Sequence, residues 1–195
     1  MIIPSLRHII TPAGHTVIPG SVSYTTPGTY SFTVPYYHSL LADCRGASGG
    51  GGGYCWNQPY GGTDGGAGGY SYFNAPTGNI VGYGGGGGTA GSSQTPVHHG
   101  TNGANGTGSG GDYNGVGDAT TGGIGAYYPA NRSYDGGNGG NGARAYKTFS
   151  KGGPLIPLSV ITVVVGQAGA AGYADNANLV KATPGVNGAV YISWS

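Results

Sequence analysis

The sequence predicts an all-β protein with almost no helix, built around a long glycine-rich tract. Three observations carry this. The stretch from Gly46 to Gly153 holds 38 of the 46 glycines. Strand-like stretches rich in β-branched and aromatic residues flank it on both sides, and strong helix formers are few. The tract also carries ten tyrosines, Tyr54, Tyr60, Tyr70, Tyr72, Tyr83, Tyr113, Tyr127, Tyr128, Tyr134 and Tyr146, whereas disordered segments are poor in aromatics.

Residues 1 to 20 read as an arm. Ile2, Ile3, Leu6, Ile9, Ile10, Val17 and Ile18 are apolar, but Pro4, Pro12 and Pro19 deny a regular helix or central strand. Such a segment packs on its own body or on a neighbour. Residues 21 to 195 are expected to form one glycine-rich β domain. Its first good strand is Thr29 to Val34, with Tyr30, Phe32 and Val34 facing one way and Pro27-Gly28 as the turn before it. Ser39 to Cys44 is a second strand leading into the tract.

The tract opens with Gly46-Ala47-Ser48 and the run Gly49 to Gly53, and passes a second run at Gly84 to Gly88. A flexible linker would account for the composition, but not for the tyrosines or for a length over half the chain. Collagen needs glycine at every third position without break, together with abundant proline. Here that register holds only briefly, at Gly100, Gly103 and Gly106 and again at Gly136, Gly139 and Gly142. The preferred reading is a set of extended, polyglycine-II-like segments lying side by side. Each has three residues per turn and no internal hydrogen bonds, and glycine lets neighbouring backbones approach closely enough to pair. Ordering so many glycines costs about 0.5–1 kcal/mol each relative to alanine, on the order of 20–40 kcal/mol over the tract. Packing, the flanking sheet or oligomer contacts must offset that cost.

Within the tract, Tyr70 to Phe73 and Asn79 to Val81 read as short strands around the turn Ala75-Pro76-Thr77-Gly78. Gly125 to Tyr128 and Ala143 to Tyr146 are weaker strand candidates. Beyond it, Val160 to Val165 is continuously β-branched and reads as a buried strand. Ala189 to Trp194 alternates, with Val190, Ile192 and Trp194 on one face.

Charge is sparse: seven Lys/Arg against six Asp/Glu, all of the latter aspartate, for a net charge of +1. This gives no electrostatic case for nucleic acid or an anionic membrane. No stretch is apolar and long enough to insert in a bilayer. The first ten residues do not read as a signal peptide, because Pro4, Arg7 and His8 interrupt the apolar run. A surface-like composition without an export signal fits a part assembled into a particle inside a cell. Cys44 and Cys55 are the two cysteines and bracket the first glycine run. They stand either as two buried thiols or as a disulfide across a flexible loop, which would contribute roughly 3 kcal/mol.

The flanks carry a recognisable pattern. Thr25-Thr26-Pro27-Gly28-Thr29-Tyr30-Ser31-Phe32-Thr33-Val34-Pro35 is followed by Leu40-Leu41-Ala42-Asp43-Cys44-Arg45-Gly46-Ala47 and polyglycine. The chain closes with Ile161-Thr162-Val163-Val164-Val165-Gly166 and then Gly185-Val186-Asn187-Gly188-Ala189-Val190-Tyr191-Ile192-Ser193-Trp194. Over roughly residues 25 to 195 this resembles the glycine-rich domain of bacteriophage tail-fibre and virion-appendage proteins. A looser similarity is to phage adhesins with polyglycine-II bundles, which place receptor-binding loops at one tip. Asp43-Cys44-Arg45 departs from the usual aromatic or small residue before the first Gly-Ala, the middle matches in composition alone, and residues 1 to 20 have no counterpart.

The resemblance implies a jelly-roll-like β-sandwich carrying the glycine-rich tract as a long insertion. It implies a virion structural role in a tail fibre, spike or similar appendage, assembled in the host bacterial cytoplasm, with other virion proteins as partners. The expected oligomer is a homotrimer, because appendages of this kind usually are trimers and the arm needs a partner. A capsid decoration or head-fibre protein with a purely architectural role is the alternative. The arm, through Ile2, Ile3, Ile9 and Ile10, is expected to anchor the domain.

Catalytic chemistry is thin. His98-His99 lacks a third ligand at metal-binding spacing. Asp64, Asp112, Asp118 and Asp135 sit beside glycines, where turn chemistry explains them, and nothing in their spacing selects a hydrolytic pair. The glycine runs lack the Gly-Lys-Ser/Thr of a phosphate loop. The expectation is a non-enzymatic protein without cofactor or metal. Tyrosine with Asn and Asp suits sugar recognition and rigid contact loops. Most tyrosines are assigned to plugging the core between glycine segments. Tyr60, Tyr113, Tyr127 and Tyr128, set among Asn, Asp and Gly, are the candidates for contact with host-surface polysaccharide.

Overall fold

The computed structural model describes residues 16–55, 62–92, 98–129, 135–174 and 180–195. No helix occurs among them. Twelve strands follow in order: β1 (Gly20–Tyr24), β2 (Gly28–Thr33), β3 (Ser39–Arg45), β4 (Tyr54–Cys55), β5 (Ser71–Ala75), β6 (Gly78–Gly82), β7 (Gly91–Ser92), β8 (Gly108–Ser109), β9 (Tyr113–Asn114), β10 (Arg144–Ser150), β11 (Val160–Val165) and β12 (Ala189–Trp194). Two antiparallel five-stranded sheets, β1-β12-β3-β10-β9 and β2-β11-β5-β6-β8, face each other. First strand beside last, second beside second-to-last, and so on inward is the connectivity of a jelly roll. β8 and β9 extend the two edges, and β4 pairs with β7 as a separate parallel ribbon.

Alternation decides which side chains fill the space between the sheets. Phe32, Leu40, Ala42, Cys44, Phe73, Ile80, Ala145, Phe149, Ile161, Val163, Val190 and Ile192 form the core. Phe73 lies at its centre, 6.2 Å from the Phe32 ring and 6.1 Å from Phe149. The expected faces of residues 30–34 and 190–194 hold: Phe32, Val34, Val190 and Ile192 are buried, and Tyr30 and Trp194 pack at the margin. The β-branched run at 160–165 departs from expectation. It is not buried on both faces: Ile161, Val163 and Val165 are inside, Thr162 and Val164 are half-buried, and Val160 is exposed. The facing sheet covers one side of this strand, and the side chains on the other are exposed or half-buried.

At one end of the sandwich lie residues 34–38, the 76–77 turn, residues 151–159 and Ser195. The described chain also enters here, where Trp194 donates its indole N–H to the Ile18 carbonyl at 2.9 Å. Buried Tyr37 donates its hydroxyl to the Leu155 carbonyl at 2.6 Å, tying two of these connections together. Leu158 follows Pro157 at the third position of a turn, with φ 69°, and Ser159 N–H donates back to the Ile156 carbonyl. That backbone region costs an L-residue about 1–2 kcal/mol. Leu158→Gly is therefore expected to raise stability by about 1 kcal/mol, read as a higher midpoint in urea with an unchanged slope.

At the other end, the strands run directly into eight extended segments. These are I (46–53), II (62–70), III (83–91), IV (98–106), V (119–127), VI (135–143), VII (166–174) and VIII (180–188). Segment I is the axis. Its amides from Gly46 to Gly53 donate in turn to Ala143, Gly69, Val186, Gly140, Gly66, Thr183, Gly137 and Thr63. The partners thus rotate through VI, II and VIII every three residues, all antiparallel to I. Its carbonyls from Ala47 to Gly53 accept from Gly85, Gly169, Gly123, Gly88, Gly172, Ala126 and Gly91, rotating through III, VII and V, all parallel to I. A three-residue turn points successive backbone groups in three directions, so one segment can be bonded to six neighbours. The ring closes in the order VI, III, II, VII, VIII, V, with each adjacent pair hydrogen-bonded, and IV lies outside III and VI.

This lattice requires glycine for close approach. A Cβ at Gly49 would overlap the Gly86 carbonyl, and one at Gly51 would overlap that of Ile124. Where the lattice ends, asparagine takes over. Asn138 and Asn141 carboxamide oxygens accept the Gly125 and Gly122 amides at 2.9 Å. Asn102 and Asn105 do the same for the Asn138 and Asn141 amides. The triplets at 100–106 and 136–142 thus place glycine against neighbours and asparagine where an outer N–H lacks a backbone acceptor.

The tract is not a single insertion between two flanking groups of strands, as the sequence led one to expect. β5, β6 and β10 come from within it and occupy the sandwich. The glycine segments instead make up three of the jelly-roll connections, β3 to β5, β6 to β10 and β11 to β12. Of the Ala143–Tyr146 candidate, Arg144 to Tyr146 open the seven-residue β10 and Ala143 ends segment VI. Gly125 to Tyr128 is not a ladder strand: Gly125, Ala126 and Tyr127 lie in segment V, and Tyr127 makes one isolated bridge with Val180.

Candidate functional site

Three of the four aspartates that might have paired for hydrolysis, Asp64, Asp112 and Asp118, are spent on the scaffold. Asp64 accepts the Ala90 amide at 2.7 Å, and Asp112 accepts the Thr148 amide at 2.8 Å. Asp118 accepts the Tyr113 hydroxyl at 2.6 Å and the Arg144 amide at 2.9 Å. Among the described residues no three His, Cys, Asp or Glu side chains stand close enough to share a metal ion. His98 pairs through its backbone with Ser92.

The disulfide between Cys44 and Cys55 does not form. Both are buried free thiols. The glycines between them are a rod rather than a flexible loop, and at about 3.1 Å per residue they hold the two cysteines roughly 30 Å apart. Cys44 faces the sandwich core, and Cys55 lies at the far end of segment I. Burial, with Asp43 adjacent, pushes the Cys44 thiol well above its ordinary value of 9.0. As pH rises past 9.0 the unfolded chain ionises this thiol and the folded chain does not, so stability is expected to fall there. Thiol reagents should label neither cysteine in the native protein and both after denaturation. Labelling of native Cys44 at neutral pH would contradict its burial.

The four candidate contact tyrosines are not brought together. Tyr60 lies outside the described residues. Tyr113 is 39% exposed, on the edge of the sandwich beside the bundle. It stacks on Tyr146 at 5.1 Å and 14°. Its hydrogen bond to the Asp118 carboxylate holds its phenol above the usual range. Tyr127 and Tyr128 are half-buried rather than exposed, at the far end of segment V, roughly 25 Å away by its length. Tyr128 packs with Ala174 and Ala182 against buried Tyr54 and Ala126, a small apolar plug. Of the arm, Ile2, Ile3, Ile9 and Ile10 lie outside the described residues.

Sequence reading missed two groups. On the outer face of the first sheet, Arg144 grips the buried Asp43 carboxylate with two bonds, at 2.8 and 2.9 Å, and Arg45 adds two more at 3.0 and 3.3 Å. Arg45 also lies over the Tyr191 ring at 4.7 Å, and Arg144 over Tyr146 at 4.9 Å. On the outer face of the second sheet, Tyr70, Tyr72 and Tyr83 stand around an open groove of about 340 Å³ with Asn79 and Val81. Tyr72 was legible, since it alternates with Phe73 and must face away from the core. Tyr70 and Tyr83 were not, because they sit where strand geometry gives way to the threefold segments.

No protein-family model, curated protein or solved structure matches the chain.

Proposed function

We propose that this chain is a non-enzymatic structural component of a phage virion, in a tail fibre, spike or similar appendage. One observation carries the reading. The described chain enters the sandwich at the end opposite the bundle, and the bundle's eight segments all run to the far end. That is the layout of a part fixed at one end and presented at the other.

A second observation supports it. Around the entry end Ile18, Ile156, Leu158 and Val160 are all more than 60% exposed. An apolar cluster of this kind marks a contact site. Leu158 is held there against its backbone preference, and such strain concentrates at functional positions. In this reading the arm attaches the domain to the particle, other virion proteins cover the apolar end, and three copies associate. The far end of the bundle contacts host-surface polysaccharide.

The test is mass spectrometry and immunogold labelling of purified particles. The protein is expected in them, and its absence would sink the reading. Deleting residues 1 to 19 should leave a folded, soluble protein that no longer joins particles. If the truncated chain aggregates instead, the arm belongs to the core. Host-cell binding of the purified protein should fall in the Tyr127→Ala, Tyr128→Ala variant, with a melting curve as control because Tyr128 is part of the plug. Equal binding by both would leave an architectural capsid or head-fibre role. A monomer by light scattering at micromolar concentration would remove the trimer.

A further inference from the structure

We infer that the groove between Tyr70, Tyr72 and Tyr83 is a binding site for neutral saccharide chains, separate from the far end of the bundle. The inference stands on the groove's geometry and does not require the virion reading.

The β5–β6 hairpin builds the groove. Ser71 pairs with Gly82, Tyr72 with Val81 and Asn74 with Asn79. Ser71, Phe73 and Ala75 are buried, so Tyr72 and Asn74 face outward. Tyr70 and Tyr83 flank the first of these pairs and are 53% and 45% exposed. The outer face thus runs from two rings, through a ring beside a valine, to two carboxamides. Four residues of strand separate its ends, about 13 Å, room for more than one sugar ring.

The rings are set in place before any ligand arrives. Tyr70 and Tyr72 stack with centroids 5.8 Å apart and 24° between planes. The Tyr83 amide donates to the Thr107 carbonyl at 3.1 Å, and its carbonyl accepts from Ala143 at 3.0 Å. Tyrosine has few torsions to immobilise, so little entropy is lost on binding.

The chemistry selects the ligand. The C–H groups of a pyranose face carry partial positive charge and meet the negative face of an aromatic ring. The hydroxyls of Tyr70, Tyr72 and Tyr83 make no hydrogen bond to the described residues. They and the Asn79 carboxamide offer both donors and acceptors to sugar hydroxyls. Among the described residues no charged side chain lines the groove, which disfavours anionic saccharides. Nucleic acid would need lysine or arginine for its phosphates. A second protein chain is the other candidate for exposed tyrosines, but it would bury these phenol hydroxyls, and each would then need a partner.

The experiment is saturation-transfer NMR and calorimetry on the purified protein. The probes are maltoheptaose, cellopentaose, chitopentaose, and mannan and dextran fragments, with oligogalacturonate as the anionic comparison. At least one neutral chain should bind, more tightly than oligogalacturonate. Tyr70→Ala and Tyr83→Ala should each weaken binding about tenfold or more. Tyr70→Phe, which keeps the ring and loses the hydroxyl, should weaken it less. Tyr191→Ala on the opposite sheet should leave it unchanged. Unchanged melting curves would show that the variants fold. Absence of binding by every neutral probe overturns the inference, as does binding that survives both alanine substitutions. Sedimentation decides the rival occupant: an oligomer that falls apart in Tyr70→Ala or Tyr83→Ala assigns the groove to a second copy.

Discussion

Gly51→Ala will destabilise this protein by about 3 kcal/mol or more, although alanine is the smallest possible change. The added methyl has no free direction. It meets the Ile124 carbonyl and then the Gly125 amide nitrogen at 2.6 Å. Segment I lies inside a ring of six hydrogen-bonded neighbours, so moving one neighbour strains bonds on both its sides. Overpacking in an ordinary core is relieved by side chains changing rotamer, but these walls are backbone. Gly78→Ala is the comparison. Nothing lies within 4 Å of a Cβ there, and the cost comes from φ of 116° alone. It should lose about 1–2 kcal/mol. Urea midpoints of the two variants decide the matter. Equal losses would mean that close approach is not what makes glycine necessary in the bundle.

Arg144→Met will cost about 2–3 kcal/mol, with the loss in stability rather than in overall fold. Asp43 is almost fully buried, and its side chain is 6% exposed. Arg144 supplies two of its charge-assisted bonds, and Arg45 the rest. Removing one partner leaves a buried carboxylate half-compensated, which is the expensive way to break such a cluster. Arg45 remains, so the loss should fall short of a fully orphaned charge. The double replacement Asp43→Leu with Arg144→Met should recover part of it, since both ends of the strongest pair are then apolar. A double-mutant cycle in urea measures the coupling. Additive losses would mean that the two residues do not act as a unit.

The site was less legible than the fold. Tyr113 was identified as exposed from its Asp and Gly neighbours, and it is. The same reasoning applied to Tyr127 and Tyr128 gave the wrong exposure: both are half-buried, and Tyr128 packs against Tyr54, which is distant in sequence. The Arg45–Asp43–Arg144 cluster could not be found by spacing, since Asp43 and Arg144 are brought together only by the pairing of β3 with β10. Tyr70 and Tyr83 are missing from the contact candidates for a similar reason. Which way a side chain points at the change from a two-residue to a three-residue period depends on where that change falls.

By itself the sequence determined the all-β character, the inward faces of residues 30–34 and 190–194, the hairpin at 71–82 and the threefold nature of the glycine segments. Each of these is a local pattern: a period of two, a period of three, or a turn at Pro76. The tertiary structure alone decided that the glycine segments are three jelly-roll connections rather than one insertion, and that segment I is the axis of six of the other seven. It also decided that Cys44 and Cys55 stand at opposite ends of a rod. Glycine explains the difference. It has no side chain to mark an inward face, so successive glycines in the sequence are alike. Their roles are set by which carbonyl lies opposite each one, and that is a property of chains packed together.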